Sequence, residues 1–227
     1  MRSRYPDGPI EALLAEFFGE SRLKEAVAPV FIPSYELGRR TPFFFRSTME
    51  NRDAGYDYPM HVVARSTSAA PTYFPPETIP VAGTNENYVL IDGGVFANNP
   101  AACALVEAKV QFSNACDFTV VSLGTGAAYE KPLMTSACDW GIARWARPIL
   151  DTVLDGVSST VDYQLSQLLQ PHQDGTQRYF RIQPAIGAAN QALDNAGRSN
   201  LQELKATAAK TIEEKSRELD DLCGQIS

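Results

Sequence analysis

The stretch "VLIDGGVFANNPA", residues 89–101, carries one acid, Asp92, to the end of an apolar run and follows it with Gly93 and Gly94. A carboxylate at the end of a strand can serve as a base toward a group that comes close. Two glycines behind it permit positive φ and leave room for that approach. Asp-Gly is also a common turn pair, so a plain turn fits the same residues. The other reactive side chains are sparse. His61 precedes "VVARSTSAA" and reads as a packing or helix-start residue, and His172, between Pro171 and Gln173, reads as a loop residue. Cys103, Cys116, Cys138 and Cys223 show no CxxC spacing and have only two histidines as further soft ligands, which argues against a zinc site. Scattered thiols of this kind suit the reduced interior of a cytosolic protein. The "GTG" of residues 124–126 lacks a lysine and reads as a tight turn, not a phosphate cradle.

The elements that position Asp92 follow from periodicity. "NYVLID" is a short, nearly all-apolar run, the pattern of a strand covered on both faces. "PAACALVEAKVQF" places Pro100 where a first helical turn accepts it, and "DFTVVSLGTG" is a second apolar strand. Strand, helix, strand in this order predicts a βαβ unit and a parallel sheet flanked by helices, hence the α/β class. Asp92 and the "GTG" loop then sit at carboxyl ends of strands, where open α/β sheets hold ligands.

Upstream, Leu13, Phe17 and Phe18 recur at helical spacing, and "GESRLKEAV" predicts a stop and a second short helix. "VFIPSYEL" and "TPFFFRST" are β-rich runs, and "HVVARSTSAA" is a helix that "PTYFPP" ends. Downstream, residues 137–170 read as mostly helical, with Trp140, Ile142, Trp145, Ile149 and Leu150 as apolar positions, and "QRYFRIQ" as a strand. From Asn200 to Cys223 a single long closing helix is expected, with Leu201, Leu204, Ala208, Ile212, Leu219 and Leu222 along one face. Its charged face (Glu203, Lys205, Lys210, Glu213, Glu214, Lys215) mixes signs and reads as solvated surface.

Composition bounds the class. The chain has 227 residues, 44% hydrophobic and 21% charged, with no repeat or linker, so one globular domain over residues 1–227 is the economical expectation. A net charge of −7 argues against nucleic acid as a partner, which calls for a basic face. No run is long and apolar enough for a membrane span, and the first residues do not form a signal peptide, so a cytoplasmic location is expected.

"STSAAPTYFPP" (66–76), "YVLIDGGVFANNPAACALVEA" (88–108) and "VVSLGTG" (120–126) occur in order and close together. With "FFGESRLKEAV … FIPSYELGRRTPFFF" before them and "WGIARWARPILDTVLDG" and "YFRIQP" after, the chain resembles the second half of a patatin-like lipid acyl hydrolase. That resemblance implies a three-layer α/β fold with a mainly parallel central sheet, here without its first strands. It also implies hydrolysis of a lipid acyl ester by a Ser-Asp dyad, with no metal or organic cofactor. By position in the motif Asp92 is the dyad acid, with Gly93 and Gly94 shaping its loop. The family's Gly-x-Ser-x-Gly elbow and its glycine-rich oxyanion loop are both absent from these residues. The near misses, Ser21 in "GESRL" and Ser158 in "GVSST", lie in helical surroundings and do not follow a strand as an elbow requires. Family order puts the elbow before Tyr5, so the expectation is an incomplete patatin-like domain, inactive alone, that holds half a dyad. An inactive binding or regulatory module is the alternative, and an enzyme with an unorthodox serine is a third reading. Strands left without neighbours would expose a sheet edge open to self-association.

Overall fold

The computed structural model describes residues 3–48, 57–128, 141, 145, 148–186 and 192–226. It divides into two compact units, Met1–Glu107 with Leu154–Ser158, and Ala108–Val153 with Ser159–Ser227.

In the first unit, β1 (Phe31–Glu36) and β2 (Thr41–Arg46) form an antiparallel hairpin. The Glu36 carboxylate holds its turn, accepting from the backbone N–H groups of Gly38 and Arg39. It also accepts from Val89 N–H at 3.2 Å, so one buried acid joins the turn to a neighbouring strand. β3 (Glu77–Pro80) and β4 (Asn87–Asp92) complete a sheet of order β2-β1-β4-β3. Only residues 81–86 join β3 to β4, and so short a connection imposes antiparallel pairing.

Two helices accompany this sheet, one packed on it and the other packed on that helix. α1 (Gly8–Phe18) starts where the Asp7 side chain accepts from Gly8 N–H at 3.0 Å, and buries none of its residues. Its Leu13 and Phe17, one turn apart, are 59% and 82% exposed. α2 (Met60–Thr67) packs on β1, β3 and β4. Its Val63 enters a core with Leu23, Phe45, Tyr58, Ile79, Tyr88 and Leu90. Edge-on rings close that core, Phe45 meeting Tyr58 with centroids 5.5 Å apart. The short helix expected at "GESRLKEAV" is a single 3-10 turn, Leu23–Glu25. After β4 come the one-turn α3 (Gly94–Ala97) and α4 (Ala101–Gln111), which Asn99 caps by accepting from Ala101 N–H at 3.2 Å.

The second unit holds the parallel pairing. β5 (Val120–Leu123) pairs parallel with β7 (Tyr179–Ile182), and β6 (Ala127–Ala128) with β8 (Ala185–Ile186). Between β5 and β7 runs α5 (Pro148–Leu168), the kind of crossover that parallel strands require. Near the start of both strands Asp117 bonds to His172 at 2.6 Å and to Arg178 at 2.8 Å. The His172 hydrogen bond is the largest of the causes that hold the Asp117 carboxyl down at about 2. The chain closes with α6 (Arg198–Glu214) and α7 (Ser216–Ile226).

The α/β class therefore holds, with two corrections to the sequence reading. Among the described residues, β4 pairs with β1 and β3, both antiparallel to it. The four-stranded sheet is antiparallel throughout, and the βαβ arrangement is β5–α5–β7. The closing helix breaks at Lys215, whose backbone leaves helical values at φ −102° and ψ 12°. Trp140 and Ile142 lie outside the described residues.

Leu90 is fully buried at the centre of the first core. Leu90→Ala is expected to cost about 2–5 kcal/mol. A urea melt checks this as a lower midpoint with an unchanged slope.

Candidate functional site

Asp92 is the last residue of β4, opposite Ser34 in the last register pair of the β1–β4 ladder. Its N–H donates to Ala69 O, just beyond α2, at 3.1 Å. Ser34, wholly buried, donates its hydroxyl to Ile91 O at 2.6 Å. Strand and helix terminus thus fix the backbone on both sides of the carboxylate.

The glycines do distinct work. A Cβ on Gly93 would lie 2.4 Å from the carbonyl oxygen of Pro33, a contact no side chain tolerates. Residue 93 must be glycine for β4 to turn away where it does. A Cβ on Gly94 would meet Asp92 Oδ1 at 3.1 Å, and Gly94 N–H donates to that same oxygen at 2.8 Å. The Asp-Gly-Gly segment is accordingly a turn and also a way to hold one carboxylate oxygen while its surroundings stay clear of side chains.

The electrostatics set Asp92 apart from the other buried acid of this unit. Burial would raise the Glu36 carboxyl, but N–H groups of Arg39, Val89 and Gly38 outweigh it and hold that group below its ordinary range. Asp92 is partly buried, and burial pushes its carboxyl up, with the single N–H of Gly94 opposing. No charged side chain among the described residues contributes. A carboxylate that is desolvated and under-bonded is a stronger base than one in water, which is the property a proton acceptor needs.

Among the described residues, no serine or threonine side chain hydrogen-bonds to the Asp92 carboxylate. Ser21 follows α1 on the surface, and Ser158 lies within α5. His61 sits in the first turn of α2 with Nδ1 buried, and His172 is committed to Asp117. The Gly124–Gly126 loop follows β5, with Gly126 at φ +119° and its α-carbon against Ile186. Among the described residues no cluster of His, Cys, Asp and Glu could hold a metal ion, and no helix is long and apolar enough to cross a membrane. Sequence reasoning missed Thr67 and Ser34, whose hydroxyls tie α2 and β1 to the backbone around Asp92. Thr67 lies in the quoted "STSAAP" stretch, but only the fold shows that its bond reaches Pro33.

A family model described as patatin-like phospholipase matches residues 1–105. Among curated proteins, Patatin-like protein 6 of Arabidopsis thaliana is 31% identical over 223 residues, covering 92% of this chain and 44% of the relative. Patatin-like protein 1 of the same plant is 28% identical over 232 residues, covering 92% and 56%. Patatin-like protein 1 of Oryza sativa subsp. indica is 31% identical over 229 residues, covering 89% and 55%. The chain spans about half the length of the curated relatives it matches.

The raised Asp92 carboxyl has a consequence for stability. Between its ordinary pKa and the folded value, the folded chain binds more protons than the unfolded one. The stability linked to Asp92 is therefore complete below the ordinary pKa and is lost as pH rises through the folded value. Asp92→Asn keeps an acceptor for Gly94 N–H and removes the charge. It is expected to be more stable than the parent at pH 7, with the gap closing as pH falls below the ordinary carboxyl range. Urea melts of both proteins across that range check it, and an Asn variant weaker than the parent at pH 7 would contradict the desolvation.

Proposed function

Because this chain belongs to the patatin-like phospholipase family, we propose that it is the acid-bearing part of a lipid acyl hydrolase, with Asp92 as the acid of a Ser-Asp dyad. The observation that carries this reading is the Asp92 carboxylate itself, desolvated, held by one N–H, and flanked by two glycines where a partner can approach. The serine belongs to a Gly-x-Ser-x-Gly elbow that these 227 residues do not contain.

The chemistry then runs in two halves. Asp92 accepts the serine hydroxyl proton as the oxygen attacks the carbonyl carbon of a lipid acyl ester. The C–O bond to the leaving alcohol breaks, and that alcohol departs with the proton from Asp92, leaving an acyl-serine. Water then takes the place of serine, gives its proton to Asp92 and releases the fatty acid, and the proton returns to serine. A carboxylate near pKa 4 is a weak base for a hydroxyl, so the upward push from burial favours the transfer. Gly93 and Gly94 serve by their absence of side chains. The substrate class is a phospholipid or another acyl ester, with no metal or organic cofactor in the reaction.

A second reading is an inactive patatin-like module that binds or regulates. The feature that favours it is the lack of any hydroxyl bonded to Asp92 among the described residues.

Fatty-acid release from phosphatidylcholine vesicles, with fluorophosphonate labelling alongside, tests the proposal. The 227-residue chain alone is expected to release none and to take no label. A longer polypeptide that joins it to a segment bearing Gly-x-Ser-x-Gly is expected to do both, with the label on the elbow serine. Label on Ser158 or Ser21 of the short chain would contradict the half-dyad. A folded longer polypeptide with no hydrolysis would favour the inactive module.

A further inference from the structure

The β1–β4 ladder ends at the Ser34–Asp92 pair, and Pro33, the next residue of β1, has no N–H with which to extend it. The carbonyl of Pro33 is instead engaged by two other segments. Thr67, the last residue of α2, donates its hydroxyl to that oxygen at 2.7 Å. Gly93 lies against the same oxygen, with the place of a Cβ only 2.4 Å away. Two residues beyond Thr67, Ala69 O receives the Asp92 N–H. The end of α2 thus grips the strand end at two points, once directly through Asp92 and once through Pro33.

We propose that Thr67 is a positioning residue for Asp92. Its hydroxyl fixes the Pro33 carbonyl, that carbonyl limits how closely Gly93 approaches β1, and the Gly93 backbone sets where the Asp92 carboxylate leaves the strand. Remove the hydroxyl and the Pro33 oxygen becomes a part-buried acceptor without its donor, a state it relieves by moving toward water. The turn at Gly93 then loosens, water reaches the carboxylate, and the environment that makes Asp92 a base is diluted. Thr67 does this without touching the carboxylate. Ser34 supports the arrangement through different acceptors, its hydroxyl donating to Ile91 O at 2.6 Å and to Ser66 O of α2 at 3.4 Å. The inference rests on the reading of Asp92 as a proton acceptor, yet its test needs no serine and no turnover.

The experiment is a carbon-detected NMR titration of the Asp92 carboxyl in the 227-residue chain, in the parent and in Thr67→Val and Thr67→Ser. Thr67→Val removes the hydroxyl at nearly constant shape, and is expected to lower the Asp92 midpoint by about half a pH unit or more as solvation returns. Thr67→Ser keeps the donor and is expected to leave the midpoint where the parent has it. A general loss of packing would lower the melting temperature in both variants and would not sort them by hydroxyl. A folded Thr67→Val protein with the parent midpoint overturns the proposal. If Thr67→Val does not fold, the parent itself decides. The Thr67 hydroxyl proton is expected to be protected from solvent exchange and to show a cross-peak to the Gly93 α-protons. A freely exchanging hydroxyl overturns the proposal. Failure of either kind leaves the dyad assignment of Asp92 to its own hydrolysis assay.

Discussion

The carbonyl oxygen of Pro33 and the α-carbon of residue 93 share a space that leaves no room for a Cβ. Much around the candidate site depends on that contact. It requires glycine after the acid, and it lets β4 leave the ladder one residue past Asp92. It also puts the carboxylate just outside the sheet, where Gly94 N–H can hold one oxygen. Proline contributes by what it lacks, since a residue with an N–H could prolong the pairing and carry residue 93 along β1. The hydroxyls of Thr67 and Ser34 then fasten helix, strand and turn to each other.

Two acids in the same unit show how one fold can stabilise the charge of one carboxylate and disfavour that of another. Glu36 is almost completely buried, but three backbone N–H groups surround it, and they stabilise its charge enough to offset desolvation. Its role is to close the β1–β2 turn and tie it to β4. Asp92 is held above its ordinary range because burial desolvates its carboxyl and only one N–H, that of Gly94, opposes the shift. Satisfying all of its lone pairs would make the fold more stable and the base weaker. The deficit at Asp92 is what we read as preparation for a hydroxyl from another segment.

Much of this was legible in the sequence, and the parts that were not share a cause. Apolar runs located β1, β2, β4, β5 and β7, and the Asp-Gly-Gly block located the strand end that matters. Pairing direction was not legible, because an all-apolar strand such as "NYVLID" fits a sheet covered on both faces whichever way its neighbours run. The deciding feature is the six-residue link between β3 and β4, which allows only an antiparallel return. The break at Lys215 escaped because apolar positions continue past it on helical spacing, and periodicity reports a face without reporting a kink. The roles of Thr67 and Pro33 escaped for a third reason. They arise from contacts between residues more than thirty positions apart, and no local pattern encodes those. In exposed α1, spacing correctly gave the helix while Leu13 and Phe17 stayed in solvent among the described residues.

We propose Asp92 as the base of a dyad whose serine lies on another segment. The most direct test is the Asp92→Asn variant of a polypeptide that carries both this chain and a Gly-x-Ser-x-Gly elbow, assayed for fatty-acid release. The Asn side chain preserves the hydrogen bond to Gly94 and takes away the proton acceptor. The expected result is a fold unchanged by circular dichroism and kcat lowered by roughly 10²–10⁴-fold, the range for loss of a general base. A folded Asp92→Asn protein that hydrolyses lipid esters at the parent rate would contradict it.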